Sequence, residues 1–508
     1  MIMKKLLITI VGLVGLAACS SPKKETTEVK PKPNIIIFYA DDLGYGDIGV
    51  NGAKGVKTPN IDRLAQKGVN FRDAHCSAAT CTPSRYSLLT GSYAFRNKAA
   101  ILPGDAPLLI DPEKGTLPSM LQEAGYTTGV IGKWHLGLGQ GKVDWNKEIK
   151  PGPREIGFDY SFLIPATGDR VPCVFVENQK VIGAVANDPI EVSYDVQIGD
   201  YPLGTEHPEM LKQQADLQHS NTIVNGVSRI GFMSGGKEAL WKDEDFPFVL
   251  TDKAKTYISE NKENPFFLYF SFHDIHVPRI PNERFVGKST MGPRGDAIAQ
   301  MDWCTGELVK HLEEVGLADN TLIIFSSDNG PILDDGYSDQ AVELLGDHQP
   351  AGPYRGAKYS IFEAGTRMPT IVYWPGRVDP GVSSALLSQV DLYASLAKLV
   401  GQRVAPGNAP DSEAHLDAWL GKTEKGREFL LEEAFTFALR KDNWKYIMPK
   451  PKASGTPDWL KDKKVESGRS EEIQLYNLKN DIGETNNIAA EYPNVVGEMQ
   501  QKLDEIIN

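Results

Sequence analysis

Four apolar runs divide the chain, and each gives way abruptly to polar residues. Asn34-Ile35-Ile36-Ile37-Phe38-Tyr39-Ala40 ends in Asp41-Asp42, and Tyr126-Thr127-Thr128-Gly129-Val130-Ile131-Gly132 ends in Lys133-Trp134-His135. Pro265-Phe266-Phe267-Leu268-Tyr269-Phe270 leads to His273 and His276, and Thr321-Leu322-Ile323-Ile324-Phe325 leads to Asp328-Asn329. Such continuous runs predict strands buried on both faces, as in a sheet sandwiched by helices. Between them, Asn60 to Lys67, Leu117 to Ala124 and Ala297 to Glu314 read as helices, so the order is alternating β/α. Ligands of such sheets bind beyond the carboxyl ends of the strands. All four polar clusters fall there, which predicts one site assembled from distant segments.

The residue types narrow the chemistry. Asp41, Asp42, Asp328 and Asn329 offer hard oxygen atoms suited to Ca²⁺ or Mg²⁺. Lys133 and His135 stand two apart, so in an extended chain both point to one face. Taken singly, each of these residues also fits a strand-end cap or a turn. Cys81-Thr82-Pro83-Ser84-Arg85 opens a helical run through Ser87, Leu88 and Leu89 to Gly91. A cysteine just ahead of a helix start, with an early proline and an arginine one turn in, suits reactivity, and the free N–H groups suit an anion. By itself Cys81 reads equally well as a disulfide partner or a small buried hydrophobe.

Competing motifs fail. Gly44-Tyr45-Gly46-Asp47-Ile48-Gly49 matches a dinucleotide fingerprint, but Gly52 and Gly55 fall where its helix should begin, and Asp41-Asp42 would repel a pyrophosphate. Gly287-Lys288-Ser289 lacks the upstream glycine of a phosphate loop, since Asn282 stands there. Gly226-Val227-Ser228-Arg229-Ile230 lacks the closing glycine of a nucleophile elbow.

Composition adds limits. A chain of 508 residues predicts one large and one small domain. A net charge of -13 argues against a nucleic-acid partner. An anionic substrate would then need a local basic pocket. At the start, Lys4 and Lys5 precede an apolar stretch from Leu6 to Leu16, too short to span a bilayer comfortably. Leu16-Ala17-Ala18-Cys19 is similar to a bacterial lipobox, so residues 1–19 read as a cleaved signal with Cys19 lipidated, and 20–33 as a flexible tether. The expected location is periplasmic and membrane-anchored, with surface exposure as the alternative. Of the five cysteines, Cys76, Cys81, Cys173 and Cys304 remain, with their disulfide state open.

These residues together resemble the formylglycine-dependent sulfatases of the alkaline-phosphatase-like superfamily. Cys81-Thr82-Pro83-Ser84-Arg85 with Leu89-Thr90-Gly91 is similar to their C-x-P-x-R signature. The resemblance extends over Asp41-Asp42, Gly132 to Gly137, His273 to Pro278, Ser327 to Gly330, Arg355-Gly356-Ala357-Lys358, Asn443 to Tyr446 and Leu475 to Leu478. It implies a large, mixed, mostly parallel α/β sheet sandwiched by helices over 34–424, and a C-terminal α+β subdomain with a short antiparallel sheet over 425–508. It implies that a formylglycine-generating enzyme converts Cys81 to Cα-formylglycine, which shares a calcium ion with Asp41, Asp42, Asp328 and Asn329. On the same basis Asp328 takes the proton of the hydrated nucleophile, while Lys133, Lys358 and Arg85 supply positive charge. His276 is the general acid, His135 the base that releases sulfate, and His273 either a second sulfate contact or a support for His276.

Asp169, Arg170 and His219 resemble a sugar-binding set of bacterial sulfatases acting on sulfated galactose or N-acetylgalactosamine, because Asp and Arg side by side offer acceptor and donor to adjacent hydroxyls. A loop salt bridge between Asp169 and Arg170 is the plain alternative. The implied reaction is hydrolysis of a carbohydrate sulfate ester, 6-O or else 4-O. The alternatives are a phosphatase or phosphodiesterase on the same scaffold, and a catalytically dead glycan-binding lipoprotein.

Overall fold

The computed structural model describes residues 32–451, 460, 463 and 465–508. The lipobox, Cys19 and the predicted tether through residue 31 lie outside the described residues. Among the described residues no helix is long and apolar enough to cross a membrane.

The four apolar runs form neighbouring strands at the heart of a mixed ten-stranded sheet. The strands are β1 (Asn34–Ala40), β2 (Val69–Phe71), β3 (Thr127–Lys133), β4 (Tyr160–Ile164), β5 (Val176–Glu177), β6 (Lys180–Val181), β7 (Phe266–Ser271), β8 (Thr321–Ser327), β9 (Thr370–Tyr373) and β10 (Gly381–Ser383). Their spatial order is β10-β2-β9-β8-β1-β7-β3-β4-β5-β6. The five central strands β8, β1, β7, β3 and β4 run parallel. Register follows: Ala40 pairs with Ser327 and Ser271 with Gly132, so the polar residues that follow these strands emerge along one edge. Ile35, Ile36, Ile37, Phe38, Phe267, Leu268 and Phe325 are fully buried, as strands covered on both faces require.

The helices α1 (Pro59–Lys67), α2 (Cys81–Thr90), α3 (Leu117–Glu123), α4 (Phe246–Glu260) and α5 (Gly292–Glu314) cover the sheet. The last is one turn longer at its start than its apolar pattern predicts, because Gly292 and Pro293 suit a first helical turn. Helix α2 starts at Cys81 itself, since Thr80 takes the extended conformation of a cap, and it stops at Gly91, whose φ of 64° suits glycine. All of its residues but Tyr86 are buried. Its polar serines and threonines are therefore spent inside the protein: Tyr39 Oη and Ser84 Oγ lie 3.1 Å apart, and Thr82 Oγ1 donates to His135 O at 2.9 Å.

A second, antiparallel sheet consists of β11 (Leu430–Glu433), β12 (Phe437–Lys441), β13 (Trp444–Ile447) and β14 (Gln474–Asn477) in chain order. The closing helix Pro493–Ile507 lays Met499 and Leu503 against Leu431, Leu439, Tyr446 and Leu475. This sheet is joined by backbone to the segment that leads into α2. Ala79 N donates to Glu433 O at 2.8 Å and Glu433 N to Ser77 O at 3.0 Å, two residues short of Cys81.

Beneath that seam lies a buried ionic cluster. Lys445 Nζ stands 3.0 Å from Glu363, 2.8 Å from Glu432 and 3.5 Å from Glu484, with all four side chains fully buried. Arg440 and Arg367 also reach Glu363. Removing one member of such a cluster strands the others without solvent. Lys445→Met is therefore expected to destabilise the protein by about 3–5 kcal/mol, read as a lower urea midpoint. A midpoint unchanged in Lys445→Met would show that the cluster rearranges at no cost.

Candidate active site

Each strand end delivers its polar residues to the same place. Asp41 and Asp42 follow β1, Asp328 and Asn329 follow β8, Lys133 closes β3, and His273 and His276 follow β7. Asp42 has φ of 60°, a left-handed turn that carries the chain off the strand while keeping its carboxylate inside. Asp41, Asp42, Asp328 and Asn329 are all at most 1 % exposed.

Three buried carboxylates this close repel one another, and three cations offset them. Lys133 Nζ donates to Asp41 Oδ2 at 2.6 Å. Arg85, one turn into α2, donates through Nε to Asp328 Oδ2 at 2.9 Å, and its Nη2 lies 2.7 Å from the same oxygen as an ion pair. Lys358 Nζ donates to Asp42 Oδ2 at 2.9 Å. Asp328 is held ionised, since Arg85, Lys133 and Lys358 outweigh its burial. Asp41 is not compensated: burial, with Asp328 and Asp42 adding to it, pushes its carboxyl up in spite of Lys133.

The donor set fits a hard divalent cation. Asn329 Nδ2 donates to Asp42 Oδ1 at 2.6 Å and to Gly330 O, and its Oδ1 is buried without a partner. Asp41 Oδ1 is likewise buried and unpartnered. Buried acceptors are rarely left so. Two orphaned oxygens beside three crowded carboxylates suit calcium, which takes six to eight oxygen ligands. Asp41, Asp42 and His276 have ligand atoms within 4.8 Å of one another. Oxygen donors outnumber the imidazole, which again favours a hard ion over zinc.

Cys81 lies over this cluster as a thiol rather than a thiolate. Burial raises its pKa, and the ammonium groups of Lys133 and Lys358 offset that only in part. Metal-site carboxylates beside it would repel a thiolate, whereas a neutral oxygen function there would add another hard donor. Cys76, Cys81, Cys173 and Cys304 are all free and buried, so the disulfide reading of Cys81 does not apply.

The histidines are fixed by backbone groups. His276 Nδ1 contacts Val277 O at 2.6 Å, so that nitrogen carries the proton and Nε2 is the exchanging one, 4.0 Å from Asp42 Oδ2. His135 reverses the arrangement: Nε2 contacts Leu102 O at 2.9 Å, leaving Nδ1 buried as an unpartnered acceptor. Burial and Lys133 press both imidazoles well below their ordinary pKa. The expectation that Lys133 and His135 share a face through strand alternation is corrected, because β3 ends at Lys133 and His135 has φ of 54°. His273 Nε2 accepts Gly168 N–H at 2.6 Å, so this ring holds the loop carrying Asp169 and Arg170.

That loop forms the wall of a pocket of about 200 Å³ that opens onto Cys81, His276 and Lys358. Arg170 Nη1 reaches both oxygens of Asp169, at 2.7 and 2.8 Å, so the plain salt bridge is present, but Asp169 is buried, Arg170 nearly so, and both line the pocket. His219 sits 3.5 Å from Asp169 and 2.6 Å from Asp216. Burial opposes its charged form, yet the two carboxylates prevail and raise its pKa. The pocket also takes in Tyr194, Gln218, Asp335 and Lys463, which the strand-end pattern does not point to. Asp335 follows the Asp328-Asn329 turn by seven residues, a weak signal, and Lys463 stands in a charged run that reads as ordinary surface.

Comparison with known proteins agrees with this arrangement. The Sulfatase family model matches residues 33–402. The chain belongs to the sulfatase family. It is 50% identical over 507 residues to an N-acetylgalactosamine-6-O-sulfatase of Bacteroides thetaiotaomicron, covering 99% of this chain and 98% of that relative. It is 30% identical to human arylsulfatase A over 93% of this chain and 87% of that protein. A solved Bacteroides thetaiotaomicron structure concerned with glycosaminoglycan metabolism superposes with a TM-score of 0.91 at 51% identity, covering 94% of this chain and 99% of that one. The expected fold, with its C-terminal antiparallel sheet, is thus that of this sulfatase. The protein is a sulfuric ester hydrolase.

If the oxygen cluster holds calcium, adding the ion to chelator-stripped protein stabilises it by about 2.7 kcal/mol at a hundredfold excess over Kd. The Asp42→Ala, Asn329→Ala double variant is expected to lose that gain in thermal unfolding. An equal gain in both proteins would place the ion elsewhere.

Proposed function

We propose that this sulfatase removes 6-O-sulfate from N-acetylgalactosamine or galactose residues of glycans, using calcium and a formylglycine made from Cys81 by a formylglycine-generating enzyme. The observation that carries the reading is that the pocket over Cys81 sets Lys358 and His276 beside an Asp169-Arg170-His219 wall. Near-full-length identity to a protein named N-acetylgalactosamine-6-O-sulfatase supports the sugar and the position, in preference to a 4-O-sulfate.

Asp41, Asp42, Asp328 and Asn329 would hold the calcium, and the ion with the hydrated aldehyde at position 81 would supply a Lewis acid and an oxygen nucleophile. The chain's own groups do the rest. Lys133 and Lys358 set fixed positive charge where the sulfuryl oxygens gain negative charge, at no reorganisation cost during reaction. Arg85 is tied to Asp328 and to Lys133 O, so it holds the start of α2 in register with β8 and β3. Asp328 is the acceptor for the nucleophile's proton, being kept ionised by those same cations.

His276 gives its Nε2 proton to the departing sugar oxygen, the sulfate's negative charge compensating the lysines that depress its pKa. Lys358 is kept charged by Asp42 and Asp335 against burial and can reach the same oxygen. His135 Nδ1, already an unprotonated acceptor, is the base that frees sulfate. Asp169, Arg170 and His219 grip the hydroxyls of the sugar.

Protein from a host with the modifying enzyme should show Cys81 as formylglycine by peptide mass spectrometry and release sulfate from N-acetylgalactosamine 6-sulfate. Cys81→Ala should lower kcat by at least about 10³. Faster turnover of the matched phosphate ester would favour the phosphatase reading, and a thiol-only peptide from the native host would favour the dead glycan-binding one. We also propose that Cys19 is lipidated after export and anchors the protein in the periplasm or at the surface. Fatty-acid labelling should then vanish in Cys19→Ala, whereas persistent labelling would move the anchor elsewhere.

A further inference from the structure

One wall of the pocket is left unused by the steps above. Asp335 is buried, and its carboxylate carries three groups: Lys358 Nζ on Oδ2 at 3.2 Å, the Tyr359 hydroxyl on Oδ2 at 3.2 Å, and Lys463 Nζ on Oδ1 at 2.7 Å. Lys358 continues to Asp42 and so belongs to the sulfate end. Lys463 arrives from the C-terminal part of the chain and lines the same pocket as Cys81, Asp169 and His276.

The charges at that wall are paired, but the hydrogen bonding is uneven. Arg170 is matched by Asp169, and His219 by Asp169 and Asp216. Lys358 is matched by Asp42, which leaves Asp335 as the counter-charge of Lys463. Lys463 has a side chain 9% exposed, has Asp335 as its one ionic partner among the described residues, and finds no further acceptor there for its remaining N–H donors. Its charge is met by Asp335, but its N–H donors are left unspent on the wall of the pocket, where an acceptor on a ligand would satisfy them.

We propose that Lys463 is an anion subsite, receiving a second negative group of the substrate on the sugar next to the one that loses its sulfate. The group is a carboxylate of a uronic acid or a further sulfate ester. This rests on the carbohydrate-sulfatase reading above. It makes Asp335 a divider between two recognition points: one ammonium directed to the scissile sulfate and one to the neighbouring sugar. Selectivity for an anionic neighbour then comes from a segment more than a hundred residues beyond Lys358 in sequence.

The test is calorimetric binding to Cys81→Ser protein, which needs no turnover. Three disaccharides carry the same 6-sulfated amino sugar, with a neutral neighbour, a uronic acid neighbour or a sulfated neutral neighbour. Lys463→Met is expected to weaken one of the two anionic ligands about tenfold relative to the neutral one, and Lys463→Arg to restore most of it. Loss confined to the uronic acid ligand assigns the carboxylate, and loss confined to the doubly sulfated ligand assigns the sulfate. An equal change for all three ligands, or none, overturns the subsite alone. No affinity for any of the three overturns the functional reading and the subsite together.

Discussion

The site depends on burying three carboxylates against one another. Asp41, Asp42 and Asp328 emerge from adjacent parallel strands, and the register that pairs Ala40 with Ser327 leaves them little freedom to move apart. Left alone they would force each other to protonate, as Asp41 shows by its raised pKa. Each therefore has its own cation, from a different element: Lys133 from β3, Arg85 from α2, and Lys358 from the loop beyond β8. Asp328 stays ionised because the cations are there, whereas at Asp41 burial and the neighbouring carboxylates prevail over Lys133. A divalent ion would complete this balance instead of creating it, and of the three cations Lys358 lines the pocket above.

This charge balance explains why α2 is buried on nearly every side. A helix with one wet face could pivot, and Cys81 would pivot with it. Here Arg85 ties its first turn to Asp328, Thr82 ties it to His135, and Ser84 meets Tyr39 of β1. The antiparallel sheet fixes the approach to the helix by pairing Glu433 with Ser77 and Ala79. The C-terminal sheet is thus part of the frame that aims position 81, although none of its residues bears on the sulfate itself.

Much of this is legible in the chain because parallel strands buried on both faces leave continuous apolar runs, and because strand ends in such sheets converge. The runs before Asp41, Lys133, His273 and Asp328 point to one edge by their apolar pattern alone. What escapes is anything set by tertiary contact between loops. His135 breaks the two-residue alternation because the chain turns at a positive φ immediately after β3. Asp335 and Lys463 lie in loops without periodicity, and their pairing spans 128 residues of sequence, which no local pattern encodes. The Asp169-Arg170 pair reads identically in sequence whether exposed or buried, and only burial turns it from a surface contact into a pocket wall.

The two histidines show how backbone fixes which ring nitrogen is offered to the site. His276 and His135 are the same residue type, are similarly buried and are depressed by the same Lys133. They differ in which ring nitrogen meets a carbonyl: Nδ1 for His276 and Nε2 for His135. A carbonyl accepts only from a protonated nitrogen, so each contact decides which nitrogen is left to exchange protons. Because Val277 O and Leu102 O belong to the main chain, no change of pH redistributes these tautomers while the loops hold. Loop geometry thus decides which nitrogen each ring offers, and both offer a bare one. His276 becomes the donor only by taking a proton on Nε2, which a bound anion beside it favours and which His135 does not need.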